Sequence, residues 1–442
     1  MKKVKKVLIA NRGEIAVRII RACHTLGLAA VAVYSTADKE ALHVRLADEA
    51  VCIGPPEPAK SYLKQNNIIE AAKMTGADLI HPGYGFLSEN AEFAQKCEDN
   101  KLKFVGPSAQ VIALMGEKAT ARQTMKNAGV PVIPGSPQGF LTVAEGLRYA
   151  SMIEFPVMLK ASAGGGGKGM RVIQRKEDFA KEFTVAQQEA QHAFSNSEMY
   201  LEKYLPHPRH IEVQLMADQF GNVLGLRERD CTLQLNHQKI LEEAPALMVS
   251  NNTLQKMLEV SIRAAKKLNY EGAGTMEFLL DGPKNFYFME MNTRIQVEHP
   301  VTELITNTDL VEMQLRVALG KKVIPPKMHL ENQGFALECR INARGAGKIT
   351  ALHLPSGYGV RVDTAIYQGY RVPPNYDAMI AKIIVHGHNR ENAIALMKTA
   401  LDETVISGIQ TNLDFLAQLL EEPEYLHNET DVNWLEKLTD AK

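Results

Sequence analysis

Three features common in other sequences are missing from these 442 residues: abundant cysteine, a large net charge and a long apolar run. The five cysteines are far apart and form no C-x-x-C pair, which supports neither a disulfide framework nor a zinc site. Lysine and arginine number 50 against 51 acidic residues. This balance argues against a protein that wraps nucleic acid and against an acidic disordered chain.

The apolar runs are too short for a membrane protein or a signal peptide. None reaches the ~18 residues of a membrane-spanning helix. The basic start leads only into Val7–Ala10 before Asn11 and Arg12, which is too short for the apolar region of a signal peptide. We therefore expect a cytoplasmic protein without membrane or nucleic-acid partners.

Strand and helix patterns alternate through the first part of the chain. Val7–Ala10 and Leu28–Tyr34 have strand character, and apolar residues at helical spacing lie between them in 14–26. Alternation of this kind predicts an α/β domain with a parallel sheet. Strand patterns dominate later, and the last hundred or so residues, at roughly domain length, combine strands with a helix over 390–403. That part reads as α+β.

A glycine-rich block follows the predicted strand 156–162: Gly164, Gly165, Gly166, Gly167, Lys168 and Gly169. A second strand, 170–173, follows where a dinucleotide-binding loop needs a helix, and the Walker A lysine is absent. A glycine-rich β-hairpin remains, whose backbone N–H groups can approach phosphate oxygens. A flexible surface loop is the alternative, but Lys160 and Lys168 favour phosphate.

A second hairpin is predicted where turn residues 282–285 join the strands 275–281 and 286–291. We expect Leu280 to face Tyr287 in this hairpin.

In that register Glu277 faces Glu290, and strand alternation puts Asn292 on the same face. Opposed carboxylates destabilise a sheet unless a cation lies between them. Two glutamates and an amide oxygen suit a hard cation such as Mg²⁺. The alternative is two solvated acids on an exposed edge.

Beyond Asn292, the residues Arg294, Gln296 and Glu298 share a face if the segment is extended. An arginine and a carboxylate beside a pair of metal-binding glutamates can bind an oxyanion and supply a base. A surface salt bridge is the alternative interpretation.

A third cluster, Arg227–Asp230, precedes Gln234, His237 and Lys239. An ordinary charged surface explains such a run. His210 is equally compatible with a packed core histidine.

Several long motifs occur in a fixed order: Ala10–Ala16, His81–Asn90, Lys160–Ser162 with the glycine block, Glu290–His299 and Glu338–Asn342. Together they closely resemble biotin carboxylase, an ATP-grasp ligase, over nearly the whole chain. The resemblance implies a three-domain ATP-grasp architecture of α/β and α+β class. It has an N-terminal parallel-sheet α/β domain (1–115), an ATP-grasp domain (116–325) with a glycine-rich lid at about 131–203, and a C-terminal α+β domain (326–442).

The resemblance also implies roles for individual residues. The nucleotide site would comprise Lys118, Lys160, Gly164, Gly165, Gly166, Gly167, Glu202, Lys203, Tyr204, Leu205, His210, Gln234 and His237. The metal ligands would be Glu277, Glu290 and Asn292, in agreement with the hairpin argument. Substrate-binding residues would be Lys239, Arg294, Gln296 and Val297 for bicarbonate, and Arg340 and Tyr84 for biotin. Catalysis would depend on Glu298 as general base, with Arg294, Arg340 and Lys239.

The implied reaction has two stages. ATP, with Mg²⁺ or Mn²⁺, phosphorylates bicarbonate to carboxyphosphate, and CO₂ then passes to the ureido nitrogen of biotin. This is the first half-reaction of acetyl-CoA carboxylase, which supplies malonyl-CoA for fatty acid synthesis. The implied partners are a biotin carboxyl carrier protein, carboxyltransferase subunits and a second copy of the chain in a homodimer.

The sequence has no Met-Lys-Met of a biotin carrier, so we expect the biotin to lie on another protein. The alternatives are a biotin carboxylase of another acyl-CoA carboxylase, an ATP-grasp ligase with a different acceptor, and a nucleotide-binding relative without catalysis. The retained Glu277, Glu290, Arg294, Glu298 and Arg340 speak against the last.

The chain departs from the family pattern in two places. Leu235 and Asn236 replace two arginines of Gln-Arg-Arg-x-Gln-Lys, which reduces the charge near the site. The loop 343–348 is shorter than in the family and basic, and it would lie near the family's subunit contact.

Overall fold

The computed structural model describes residues 5–161, 170–194, 197–236, 238–323 and 334–440. The chain forms two compact units, one made of Met1–Val130 with Arg209–Lys442 and the other of Pro131–Pro208. Among the described residues no helix has both the length and the apolarity needed to cross a membrane. The cytoplasmic location stays a prediction.

The N-terminal part of the first unit is a five-stranded parallel sheet with helices. Its elements are β1 (Lys6–Ile9), α1 (Gly13–Thr25), β2 (Ala29–Ser35), α2 (Leu42–Leu46), β3 (Glu49–Gly54), α3 (Gln65–Thr75), β4 (Leu79–His81), α4 (Ala91–Asp99), β5 (Lys103–Phe104), α5 (Ala109–Gly116) and α6 (Lys118–Asn127). The strand order is β3-β2-β1-β4-β5. Val7, Leu8 and Ile9 are fully buried, as expected for a sheet covered on both faces.

The neighbouring parallel strands β1 and β4 end at the same edge, with Ile9 opposite His81. The first two sequence motifs therefore meet there. The Asn11 side-chain amide donates to the carbonyl oxygens of Pro82 and Tyr84, both at 2.7 Å. This contact fixes the loop that carries Tyr84.

The second unit is a three-stranded antiparallel sheet with two helices. Its elements are α7 (Val143–Ile153), β6 (Val157–Ala161), β7 (Met170–Ile173), α8 (Phe179–Phe194) and β8 (Met199–Lys203), with strand order β7-β6-β8. Phe183 stacks between Phe140 and Phe179 in its core. The predicted pairing of the strands that flank the glycine block is confirmed, whereas Gly164, Gly165, Gly166 and Gly167 lie outside the described residues.

The remainder of the first unit is built on an eight-stranded antiparallel sheet. Its elements are β9 (Arg209–Ala217), β10 (Val223–Leu235), β11 (Gln238–Ala244), α9 (Asn251–Lys267), β12 (Gly272–Asp281), β13 (Asn285–Asn292), α10 (His299–Thr306), α11 (Leu310–Ala318), β14 (Phe335–Asn342), β15 (Gly347–Lys348), β16 (Ala351–His353), β17 (Val360–Thr364), β18 (Arg371–Val372), β19 (Met379–Gly387), α12 (Arg390–Glu403), β20 (Val405–Ser407), α13 (Leu413–Leu419), α14 (Pro423–Leu426) and α15 (Trp434–Asp440). The strand order is β13-β12-β9-β10-β11-β14-β19-β17.

This sheet runs without a break across the predicted boundary at 325/326, because β11 pairs with β14. Helix α10 packs on β10, β14 and β19. The residue before α10 is Glu298, so the sheet and this helix together position the predicted base.

Candidate active site

Three glutamates face one another across neighbouring strands. Glu212 on β9 pairs with Glu277 on β12, and Glu277 pairs with Glu290 on β13. The predicted opposition of Glu277 and Glu290 is therefore present, but the predicted turn register is wrong: Leu280 pairs with Phe286, and not with Tyr287.

A β-bulge accounts for the difference. Phe278 pairs with Phe288 and Glu277 with Glu290, so Met289 is an extra residue on β13. One inserted residue offsets the one-residue error at the turn and returns both carboxylates to opposed positions.

The Asn292 amide lies between the two carboxylates, 2.9 Å from Glu277 Oε1 and 3.4 Å from Glu290 Oε1. Burial and the charge of Glu277 raise the pKa of Glu290. A carboxylate disfavoured as an anion by a neighbouring anion is stabilised by a divalent cation. These residues therefore fit the metal that the resemblance implies.

Glu298 does not lie on an extended segment as predicted. The chain bends after Asn292 and turns at Val297, and Glu298 is the N-cap residue of α10. Its fully buried carboxylate accepts from Lys239 Nζ at 2.6 Å and from Arg340 Nη2 at 3.0 Å. Burial alone would raise the pKa of Glu298, but the nearby cations hold it well below its usual range.

Lys239 connects the base to the row of glutamates. Its ammonium lies 2.6 Å from Glu212 Oε2, 3.0 Å from Glu277 Oε1 and 2.6 Å from Glu298 Oε1. Burial lowers the pKa of Lys239, and the three carboxylates raise it well above its usual value. Lys239 is therefore a fixed positive charge at the centre of the site.

Arg294 joins the same network. It donates to Glu89 Oε2 at 2.7 Å, to Asn292 Oδ1 at 2.9 Å and to Gln296 Oε1 at 2.9 Å. Gln296 in turn donates to Glu277 Oε1 at 3.0 Å. The alternative interpretation, a surface salt bridge, does not describe this arrangement, because Arg294 also donates to Asn292 and Gln296 within the site.

Arg340 approaches Glu298 from β14. Its Nε donates to Glu242 Oε1 at 2.6 Å, while Nη2 binds Glu298. Burial, offset only in part by the charge of Arg340, leaves the pKa of Glu242 raised to about 7. The predicted biotin contact Tyr84 donates its hydroxyl hydrogen to Glu14.

The predicted nucleotide residues lie on both units. In the second unit, Lys160 forms an ion pair with Glu202, and Lys203 and Tyr204 are partly exposed while Leu205 is buried. In the first unit, Lys118 is exposed at the start of α6. His237 lies outside the described residues.

His210 is more than a packed core histidine. Its Nδ1 contacts Gln234 Nε2 at 2.9 Å, and its Nε2 lies 2.9 Å from Glu277 Oε2. Two predicted nucleotide residues, His210 and Gln234, therefore contact each other and reach a predicted metal ligand.

The cluster Arg227–Asp230 is not an ordinary charged surface. It lies on β10, where Glu228, Arg229 and Asp230 are buried and Arg229 is 0% exposed. Arg229 donates to Glu212, to Gln214 Oε1 at 2.8 Å and to Thr302 Oγ1 at 2.8 Å.

Sequence reasoning missed Arg229 and Glu212 as parts of the site. Their register partnership across β9 and β10 links the buried guanidinium to the row of glutamates. A run of alternating charges inside a strand was the available signal, since alternation places every second charge on one face.

Leu235 and Asn236, which replace the two arginines, end β10 at the turn to β11. Leu235 packs against the C-terminal core, and Asn236 has φ of 50°, a left-handed conformation that asparagine tolerates. These residues therefore shape the turn before Lys239.

The arrangement combines an ionised buried carboxylate, fixed cations and a carboxylate pair suited to a divalent cation. Such a set can deprotonate a weak acid and stabilise an anion that forms beside it. Fixed charges in a buried site act strongly, because little reorganisation is needed.

Sequence models of three domain families match the chain. They are the biotin carboxylase N-terminal domain over 3–112, the ATP-binding domain of the carbamoyl-phosphate synthase L chain over 117–324, and the biotin carboxylase C-terminal domain over 338–437. These matches confirm the predicted fold class, while the exact domain boundaries stay predictions.

Known proteins resemble the chain over nearly its full length. Biotin carboxylase 1 of Bacillus subtilis (strain 168) is 51% identical, covering 98% of each chain. A biotin carboxylase–beta-gamma-ATP complex from Campylobacter jejuni is 46% identical with a TM-score of 0.89, covering 98% of this chain and 99% of that one. The biotin carboxylase domain dimer of Hydrogenobacter thermophilus 2-oxoglutarate carboxylase, in complex with MgADP, ADP and bicarbonate, is 43% identical with a TM-score of 0.88, covering 99% of this chain and 98% of that one. The chain therefore belongs to the biotin carboxylases, ATP-dependent ligases that form a carbon–nitrogen bond by carboxylating biotin.

Proposed function

We propose that this chain carboxylates biotin on a biotin carboxyl carrier protein, as the first half-reaction of acetyl-CoA carboxylase. The product would pass to carboxyltransferase subunits that form malonyl-CoA for fatty acid synthesis. The observation that carries the proposal is Glu298, a buried ionised carboxylate bound by Lys239 and Arg340 next to the Glu277–Glu290 pair.

The divalent cation would bind to the Glu277–Glu290 carboxylate pair, and the ATP phosphates would bind to the cation and to Lys118 and Lys160. Glu277, Glu290 and Asn292 would hold Mg²⁺ or Mn²⁺, which when bound offsets negative charge on the phosphates. Further nucleotide contacts would come from Lys118, Lys160, Gly164, Gly165, Gly166, Gly167, Glu202, Lys203, Tyr204, Leu205, His210, Gln234 and His237.

Bicarbonate would bind to Lys239, Arg294, Gln296 and Val297. An incoming anion competes with Glu298 for Lys239, and losing this cation raises the pKa of Glu298 towards that of a useful base. Glu298 would then take the bicarbonate proton. A bicarbonate oxygen attacks the γ-phosphorus, ADP leaves, and carboxyphosphate forms.

Biotin would be carboxylated from the Arg340 side. Carboxyphosphate breaks down to CO₂ and phosphate. The released phosphate takes the proton of the ureido nitrogen, which bonds to the carbon of CO₂. Negative charge develops on the ureido oxygen, where the Arg340 guanidinium and Tyr84 would lie. Fixed donors at such a position stabilise the transition state.

The final acceptor has a second candidate. The similarity to the biotin carboxylase domain of a 2-oxoglutarate carboxylase favours a 2-oxo acid as an alternative to acetyl-CoA. The same structure is described as a dimer, which supports a homodimer here.

The test measures ATP hydrolysis by the purified chain with bicarbonate and biotin each present or omitted. We expect turnover that requires bicarbonate and is stimulated by biotin. Phosphate release independent of biotin argues against the carboxylation of biotin. The carboxylated carrier protein is then incubated with a carboxyltransferase for acetyl-CoA or with one for a 2-oxo acid, to distinguish the two candidate acceptors. We expect malonyl-CoA to form.

A further inference from the structure

Lys382 is a fully buried lysine in the middle of the apolar strand β19. Its Nζ donates to the Val297 carbonyl oxygen at 2.7 Å and lies 3.2 Å from Glu14 Oε1 and 4.0 Å from Asp363 Oδ2. Burial lowers the pKa of Lys382, but nearby carboxylates raise it above its usual value. The ammonium therefore stays charged at neutral pH.

Lys382 lies opposite Arg340 in the pairing of β14 with β19. Arg340 binds the Glu298 carboxylate at 3.0 Å, and Lys382 binds the carbonyl of the preceding residue. Because a peptide unit is planar, fixing the Val297 carbonyl also fixes the direction in which the Glu298 backbone N–H points. Two cations on neighbouring strands thus hold the side chain and the backbone of the same turn.

Glu14 extends this contact to the other side of the site. It belongs to the motif Ala10–Ala16, for which the proposed function supplies no role. Its Oε1 accepts the Tyr84 hydroxyl hydrogen and also lies next to Lys382 Nζ. The chain of contacts therefore runs from Tyr84 through Glu14 and Lys382 to the Val297 carbonyl.

We propose that Lys382 and Glu14 are positioning residues for biotin carboxylation, which together align the Val297–Glu298 turn with Tyr84. Both act through residues that are predicted to bind the substrates, Lys382 through Val297 and Glu14 through Tyr84. The inference rests on the proposed function. It identifies Lys382 as the partner of the Val297 backbone, which would bind bicarbonate. Losing Lys382 should therefore affect the binding of bicarbonate before that of the other substrates.

A purely structural ion pair is the alternative, and kinetics distinguish the two. Loss of folded enzyme lowers kcat in proportion to the active fraction and leaves each KM unchanged. Loss of positioning raises the KM for bicarbonate while the KM for ATP stays the same, because the partners of Lys382 within the described part of the chain, Val297, Glu14 and Asp363, include none of the predicted nucleotide residues.

The experiment compares Lys382→Met with the double variant Lys382→Met/Glu14→Gln. The single variant leaves Glu14 buried without its cation, so it is destabilised. The double variant removes both charges, so its melting temperature should recover towards that of the wild type. Lys398→Met is the matched control, since Lys398 is a partly exposed lysine paired with Glu421 on the surface.

We expect the KM for bicarbonate to rise about tenfold or more in both variants, as for loss of a hydrogen bond from a charged donor, and the KM for ATP to stay within about twofold. Lys398→Met should match the wild type in both constants. If the double variant folds and its KM for bicarbonate is unchanged, the positioning role is wrong. A wild-type chain without biotin-stimulated turnover would instead refute the proposed function.

Discussion

Arg229 offers the strongest test of the buried ionic network. It is 0% exposed, and its guanidinium donates to Glu212, Gln214, Thr302 and Thr275. Replacing it with methionine keeps most of the side-chain volume but removes all of these donors. Glu212 then keeps Lys239 as a cationic partner on one oxygen only.

The expected cost follows from this burial. Removing one partner of a buried ion pair costs about 3–5 kcal/mol, because the remaining charge is left without full compensation. Arg316→Met is a matched control, since Arg316 is 53% exposed and pairs with Glu312 one helical turn away. A pair of that kind contributes only ~0.3–0.5 kcal/mol.

Urea unfolding of the full chain measures both variants. Trp434 is the one tryptophan of the sequence and packs against the C-terminal core cluster, which includes residues of β11 and β14. Its fluorescence therefore reports the unfolding of the large sheet. The midpoint should fall strongly for Arg229→Met and hardly at all for Arg316→Met.

A double variant tests whether the partner is Glu212. Glu212→Gln and Arg229→Met should each destabilise, and their combination should cost less than the sum by about 2 kcal/mol, since the pair interacts directly. An Arg229→Met protein as stable as the wild type, or strict additivity with Glu212→Gln, would refute the reasoning.

Three further predictions concern the metal site, acid stability and nucleotide binding. Mg²⁺ should raise the melting temperature of the wild type by relieving the repulsion at Glu290, and Glu290→Gln should abolish this rise; thermal melts with and without EDTA check it. Burial lowers the pKa of His43 from 6.5 to about 4, so the unfolded chain binds this proton more readily and stability falls as the pH falls between those values, by about 3 kcal/mol in total. Urea midpoints measured from pH 6.5 to 4 should therefore vary less in His43→Gln, and an equal slope in both proteins would contradict the assignment. Lys160→Met should raise the Kd for ATP with little change in the KM for bicarbonate, and calorimetric titration with ATP measures this; unchanged ATP binding would remove Lys160 from the nucleotide site.

The sequence predicted those elements whose pattern is local. The helix predicted at 390–403 coincides with α12, and the strands of both hairpins lie where expected. The opposition of Glu277 and Glu290 was predicted from a register that was wrong by one residue. Strand alternation carries no signal for a bulge such as that at Met289. The unpredicted bulge and the one-residue error in the turn register cancelled each other, so the predicted opposition of the two glutamates is present.

Contacts between distant segments account for what the sequence did not predict. Arg229 and Lys382 each contact residues that are distant in sequence and that only folding brings together: Gln214 on β9 and Thr302 on α10 for Arg229, and Glu14 on α1 and the Val297 turn for Lys382. The single lysine between Ala381 and Ile383, inside an apolar strand, was a usable signal. A lysine is almost never fully buried unless it is paired, so this position predicts an acidic or carbonyl partner. The turn at Val297 was missed because an alternating polar pattern was read as extended chain, although Pro300 follows near the start of a helix.

Glu298 is, in this mechanism, the base that allows the chain to carboxylate biotin. The most direct measurement is the ATP-dependent transfer of radiolabelled bicarbonate to biotin by the wild type and by Glu298→Gln, with ATP affinity measured in parallel. We predict labelled carboxybiotin from the wild type, and none from Glu298→Gln despite unchanged ATP binding. Label transfer by Glu298→Gln at the wild-type rate would contradict this role.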